Sequence, residues 1–181
     1  LNSEKTAISR KKVSAPTREL YQKSLLIGTI LDFGCGKGKD LDFLLSKGIM
    51  VDGYDKYYHP HCNFKSGYDT IICNYVINVI SDLQERINVV KQIIKLLKTN
   101  GTAYITTRTA NEINKAGNEK WTKFNDGFKT NRGTFQKGYN VDSLKSFVSD
   151  IANDMMISVK INTITKNIKS AKYSQISIIK Q

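Results

Sequence analysis

Three glycines at every second position, Gly34, Gly36 and Gly38, follow a short apolar run (Ile30, Leu31) and Asp32 in the stretch TILDFGCGKGKDLDFL at residues 29–44. Glycines so placed let a chain turn sharply out of a strand and bring its backbone close to a ligand. A helix-like pattern follows at once. The dinucleotide fingerprint G-x-G-x-x-G would need a third glycine at position 39, where Lys39 stands. The spacing here is D-x-G-x-G-x-G, and by itself such a loop is also compatible with a mere turn.

The downstream sequence extends the pattern. Residues 51–55, VDGYD, read as a second short strand ending in an acid, Asp55. Its offset from the glycine loop is close to the one at which Rossmann-type folds offer a carboxylate to ribose hydroxyls. Residues 68–80, YDTIICNYVINVI, read as a buried strand and the turn leaving it. A helix is predicted next, with Ile87, Val90, Ile93, Ile94 and Leu97 near a 3.6-residue period, stopped by Asn100–Gly101 as a left-handed cap. Residues 102–108 form a further strand candidate.

This ordered series resembles the class I S-adenosylmethionine (SAM) methyltransferases: the glycine loop resembles their motif I, and residues 68–80 their motif IV strand. The resemblance implies an α/β fold, a Rossmann-like class I methyltransferase sheet, mostly parallel with an antiparallel C-terminal hairpin. It implies SAM as cofactor, held by Asp32, Phe33, Gly34, Cys35 and Gly36 on the first loop, by Asp55 and Lys56 after the second strand, and by Asn74. Its glycine loop would hold the methionyl half of that cofactor.

Only twelve residues, 56–67, lie between Asp55 and the next strand. A full crossover with its own helix needs at least that many before any further strand. The sheet is therefore expected to be trimmed at its third-strand edge. Residues 17–24 read as a helix capped by Thr17 with Leu20 turned inward, and residues 40–47 as the first crossover helix, packing Leu41, Phe43, Leu44 and Leu45. Residues 111–120 could form a helix; Val141, Leu144, Phe147, Val148 and Ile151 mark a firmer one, capped by Asn140. Residues 156–163 and 173–179 alternate as a closing hairpin. The expected organisation is a basic arm at 1–16 and one domain at 17–181, with a lid-like insertion at 109–139.

The net charge of +12 is unevenly distributed. Residues 1–30 carry 6 basic and 2 acidic groups and residues 108–181 carry 13 and 6, while residues 31–107 are nearly balanced at 9 and 8. The excess lies outside the cofactor half, where substrates approach this fold, and it fits a polyanionic partner as well as a merely soluble basic surface. No apolar run approaches the roughly 18 residues of a membrane span, and no signal-peptide pattern opens the sequence. Three cysteines, Cys35, Cys62 and Cys73, suit reduced thiols and a cytoplasmic setting.

Methyl transfer from a sulfonium needs mainly a positioned nucleophile and, where required, a proton acceptor. Asn74 and Tyr75 fall where the motif IV strand ends and are the catalytic candidates. Amino-methylating DNA enzymes hold an Asn or Asp there, followed by two prolines and an aromatic; this chain keeps the Asn and an aromatic and lacks both prolines. Asn74 either orients substrate or caps the turn. His59-Pro60-His61-Cys62 is too tight to close a tetrahedral metal shell, so no metal is expected, although either imidazole titrates in a range useful to a general base. Substrate contacts are expected from Arg10, Arg108, Trp121, Arg132 and Lys137, where rings and cations mix as they do on base-stacking platforms.

Three further segments, residues 5–10 with Ser14-Ala15-Pro16, residues 74–80, and RGTFQK at 132–137, resemble the methyltransferases associated with DNA phosphorothioation systems and their short phage-type relatives. That resemblance implies nucleic acid as the partner, DNA over RNA. The alternatives are a methyltransferase for a small molecule or protein, and a SAM-fold binding module without catalysis.

Overall fold

The computed structural model describes residues 3–7, 9, 11–165 and 171–181. A short 3₁₀ turn (Ser3–Thr6) precedes helix α1 (Ala15–Gln22). The main sheet contains β1 (Ile30–Phe33), β2 (Val51–Tyr54), β3 (Tyr68–Asn74), β4 (Leu97–Thr107), β8 (Val159–Thr163) and β9 (Ser174–Lys180) in the order β2-β1-β3-β4-β9-β8. β1 to β4 run parallel, and β9 is antiparallel to both β4 and β8. The mostly parallel sheet, its C-terminal hairpin and its trimmed edge are as the sequence predicts. At that edge residues 56–67 run as a loop, and Phe64 packs on Tyr54 (ring centroids 5.1 Å apart), which in turn meets Phe33 at 5.0 Å.

Parallel strands are covered on both faces, which is why they read as unbroken apolar runs. Leu31, Ile71, Cys73, Ala103 and Ile105 face α3 (Leu83–Leu96) and α5 (Val141–Asp154); Ile30, Ile72 and Tyr104 face the side of α1 and α2 (Lys39–Ser46). Each such fully buried large side chain contributes roughly 1.5–3 kcal/mol. Asn140 caps α5 as expected, its Oδ1 accepting from the Ser143 N–H at 2.7 Å.

Four local expectations need correction. Ser14, not Thr17, caps α1, because the helix starts at Ala15 with Pro16 in its first turn. Leu45 is exposed, since α2 turns only Leu44 fully inward. α3 ends at Leu96, and the chain enters β4 directly, so Asn100–Gly101 is not its cap. Those two residues instead form an irregularity inside β4, where Asn100 has φ +63° and the register jumps from Tyr68↔Leu97 to Thr70↔Thr102. The aromatic-rich stretch after α4 (Ala110–Lys120) is a small antiparallel sheet of β5 (Thr122–Phe124), β6 (Gly127–Lys129) and β7 (Phe135–Gln136), which periodicity did not reveal. Phe128, Phe135 and Tyr139 are buried within it or beneath it.

Candidate active site

From β1 the chain moves outward to β2 and then back across to β3, so the carboxyl ends of β1 and β3 flank a topological switch point, where open α/β sheets bind ligands. A cleft of about 810 Å³ lies there. Asp32, Phe33, Gly34, Cys35 and Gly36 line it from the β1 side, Asp55 and Lys56 from β2, and Asn74 and Tyr75 from β3. Every cofactor and catalytic candidate of the sequence is thus brought together in one wall.

Gly34 is the point at which the loop cannot carry a side chain. Its φ is +84°, and a Cβ there would lie 2.2 Å from Val76 Cγ2, on the loop that leaves β3. Four of the loop's N–H groups are already used. Those of Gly34 and Cys35 donate to the Tyr54 carbonyl (2.6 and 3.0 Å), that of Gly36 donates to Asp55 Oδ2 (3.0 Å), and that of Gly38 donates to the Cys35 carbonyl (3.0 Å). A phosphate cradle needs such donors free, so this loop offers a ligand close approach rather than an anion nest. Asp55 Oδ1 also accepts from the N–H groups of Tyr57 and Tyr58, at 2.9 and 3.0 Å. With three of roughly four acceptor sites filled, Asp55 can take one further hydroxyl, not two.

At the other side of the switch point, Tyr75 has φ +61° and donates its N–H to the Thr106 carbonyl at 2.8 Å. A left-handed aromatic residue costs about 1–2 kcal/mol, and such strain concentrates at functional sites. Asn74 donates through Nδ2 to Thr17 Oγ1 at 2.9 Å, while its Oδ1 is buried with no hydrogen-bond partner. Asn78 also lines the cleft; its Nδ2 donates to Gln136 Oε1 at 3.4 Å and its Oδ1 likewise lacks a partner. Ser3, Thr6 and Ala7 of the arm form part of the wall, with Ser3 Oγ donating to Tyr57 Oη at 3.4 Å.

Covalent catalysis by a thiolate is not what this site is built for. Burial, reinforced by Asp32 and Asp55, pushes the Cys35 thiol far up, and burial followed by Asp32 does the same to Cys73. Reactive cysteines need the opposite shift. Neither His59 nor His61 lines the cleft, and among the described residues no group of three or more His, Cys, Asp or Glu could hold a metal.

The substrate candidates are divided. Arg108 lines the cleft beside Glu112, with which it forms a hydrogen-bonded ion pair. Trp121, at the end of α4, and Arg132, exposed in the β6–β7 turn, do not line it. Lys137 does not either, and is bound to Asp126 Oδ2 at 3.1 Å. Arg10 lies outside the described residues. Sequence reasoning missed Asn78, Glu112, Gln136 and Lys172, all in the cleft wall. Asn78 sat in a segment already singled out, but nothing in the spacing shows that Gln136 folds back onto it.

The Methyltransferase domain family model matches residues 7–150. The chain belongs to that family and is a SAM-dependent methyltransferase. Solved structures carry the same fold. One is a SAM-dependent methyltransferase from Methanosarcina mazei (14% identity, 93% of this chain and 96% of that one, TM-score 0.56). A second is the small RNA methyltransferase HEN1 (14%, 97% of this chain and 26% of that one, 0.58). A third is a Burkholderia thailandensis 1,6-didemethyltoxoflavin-N1-methyltransferase with S-adenosylhomocysteine bound (11%, 99% and 78%, 0.55). No curated protein matches the sequence. The residues present fit SAM: a glycine loop that tolerates no Cβ at Gly34, and an acid, Asp55, with one acceptor site left. No helix among the described residues is long and apolar enough to cross a membrane.

Proposed function

We propose that this methyltransferase acts on nucleic acid, with DNA favoured over RNA. The observation that carries the reading is the placement of charge: the basic excess lies in the N-terminal arm and the C-terminal third, while the cofactor half is nearly neutral. Both basic segments reach the cleft, through Ser3, Thr6 and Ala7 of the arm and through Arg108 and Lys172. Neutralised phosphates release counterions and add affinity at such surfaces. HEN1, named as a small RNA methyltransferase, shows the fold in a nucleic-acid enzyme. The preference for DNA rests on the resemblance to phosphorothioation-associated and phage-type methyltransferases.

In this reading Gly34 and Gly36 face the methionyl part of the cofactor, with Asp32, Phe33 and Cys35 beside them. Asp55 accepts from one ribose hydroxyl, with Lys56 alongside. When bound, SAM supplies an electrophilic methyl on a positively charged sulfur. The protein's work is to hold the nucleophile in line against Asn74 and Tyr75. Arg10, Arg108, Trp121, Arg132 and Lys137 meet the substrate outside the cofactor site, and residues 109–139 act as a lid.

Tritiated-methyl transfer onto DNA, RNA and lysate fractions tests the substrate. Label in DNA is expected. Binding should fall with salt at a log–log slope of about −0.9 per phosphate contact on duplex, or about −0.7 on a single strand. Charge reversal at Lys11, Lys12 and Arg132 should weaken nucleic acid and spare SAM. The absence of any DNA or RNA binding at low salt would hand the lead to a small-molecule substrate, which the buried amide pair Asn78–Gln136 in the cleft wall also suits.

A further inference from the structure

A chain of hydrogen bonds runs from the first turn of α2 to the methyl-transfer position, and its polarity is forced. Asp40, 8% exposed, accepts from the Ser14 N–H through Oδ1 (2.8 Å). Its Oδ2 accepts from Ser14 Oγ (2.5 Å) and from Thr17 Oγ1 (2.7 Å). An ionised carboxylate can only accept. Thr17 therefore spends its single proton on Asp40, and its oxygen is left as an acceptor. Whatever meets that oxygen must donate, so the Asn74 amide turns its NH₂ to Thr17 (2.9 Å). Asn74 Oδ1 is consequently held away from Thr17, buried in the cleft wall with no partner. An asparagine that merely capped the turn after β3 would have this oxygen on a backbone N–H. An orphaned buried acceptor costs free energy until a donor reaches it.

We propose that Asp40 and Thr17 are positioning residues that lock the Asn74 amide in one orientation, so that Oδ1 receives a hydrogen-bond donor at the methyl-transfer position and the methyl acceptor is an N–H- or O–H-bearing group. Carbon nucleophiles and ring nitrogens without hydrogen do not satisfy this oxygen. The inference rests on the SAM site alone and stands apart from the nucleic-acid proposal. Asp40→Asn gives the relay a different outcome from simple loss. An amide nitrogen facing Ser14 Oγ and Thr17 would donate, the Thr17 hydroxyl would then donate onward, and Asn74 would turn its oxygen toward Thr17 and its NH₂ to the cleft.

Two probes test this by calorimetry without a substrate. S-adenosylhomocysteine has nothing where the methyl stands; sinefungin carries an amine there, a donor at the position in question. The wild-type protein should bind sinefungin about tenfold more tightly than S-adenosylhomocysteine. Asn74→Ala, Thr17→Val and Asp40→Asn should bring the ratio near one, and Thr17→Ser, which keeps the hydroxyl, should restore it. A general loosening of the fold would weaken both probes alike and leave the ratio unchanged. Equal affinities in the wild type, or a ratio unmoved by Thr17→Val, would overturn the relay while leaving the SAM site intact. Failure of both probes to bind the wild type would overturn the relay and the cofactor assignment together.

Discussion

The glycine-loop edge of the main sheet and the three-stranded insertion after α4 are held by different means. At the glycine loop the chain is tied to itself over short distances: backbone N–H groups meet the Tyr54 carbonyl and Asp55, and Gly34 clears Val76. The insertion is tied to the body through a long, buried side chain. Arg86 on α3, 1% exposed, donates to Tyr139 Oη at 2.9 Å and to Asp126 Oδ1 at 2.7 Å, and lies over the Phe135 ring. The first arrangement shapes a binding wall and leaves acceptors for a ligand. The second spends the two terminal nitrogens of Arg86 on anchoring and leaves its buried Nε without a partner.

That contrast breaks most sharply at Arg86. Arg86→Met should cost about 1–3 kcal/mol, measured by urea denaturation, because the buried Tyr139 hydroxyl loses its partner and Asp126 is left with Lys137 alone. S-adenosylhomocysteine affinity of the folded fraction should hardly change. A loss below about 1 kcal/mol would mean that the insertion is anchored by its apolar residues alone.

Two glycines sharpen the comparison. Gly34→Ala meets both a left-handed backbone and Val76, and should weaken S-adenosylhomocysteine at least about tenfold as well as destabilise the fold. At Gly117 in α4 a Cβ would fall 2.5 Å from the Phe128 ring. Gly117→Ala should cost about 1–3 kcal/mol through overpacking, with cofactor affinity retained. Equal loss of cofactor binding in both variants would show that the two regions are coupled.

Asp55→Ala should weaken the cofactor by about 1.5–3 kcal/mol, the scale of a charged hydrogen bond. Because Asp55 also holds Gly36, Tyr57 and Tyr58, part of that loss should appear as faster hydrogen exchange at these three amides. Unchanged affinity would remove Asp55 from the site. The lid reading predicts that β5–β7 exchange more readily than β1, β3 and β4 in the free protein, and slow when cofactor and nucleic acid bind. Protection equal to that of the central strands would make the insertion a fixed wall.

The smallest effect lies in acid. Burial raises the Asp126 carboxyl, but hydrogen bonds and charge from Arg86 and Lys137 outweigh it and hold the group below its ordinary range. A carboxylate whose folded value is depressed adds stability that is present above its unfolded value, about 3.9, and lost as pH falls through the lower folded value. Tm should therefore drop less steeply below about pH 4 in Asp126→Asn than in the wild type. Parallel acid profiles would show that Asp126 contributes no such linkage.

Much of the cofactor wall was legible in the chain because its determinants are local. Gly34 and Gly36 have a positive φ, which restricts the residue type, and Asp32 and Asp55 each stand one residue from a strand end. The helices α3 and α5 showed in their periodicity. Thr17 was misread as a cap because both Ser14 and Thr17 are good capping residues, and only the packed structure shows Thr17 spent on Asp40 and Asn74. The small sheet escaped because its strands are two or three residues long, too short for alternation to register.

By itself the sequence determined the succession of β1 to β4 along the chain, the glycine turn and the balance of charge, since each follows from neighbours within a few residues or from composition. Tertiary structure alone decided the orientation of the Asn74 amide, the burial of Arg86 and the entry of Asn78 and Gln136 into the cleft. Those depend on groups up to 58 positions apart in the chain. A hydrogen-bond donor has no polarity to impose until its acceptor has been folded against it.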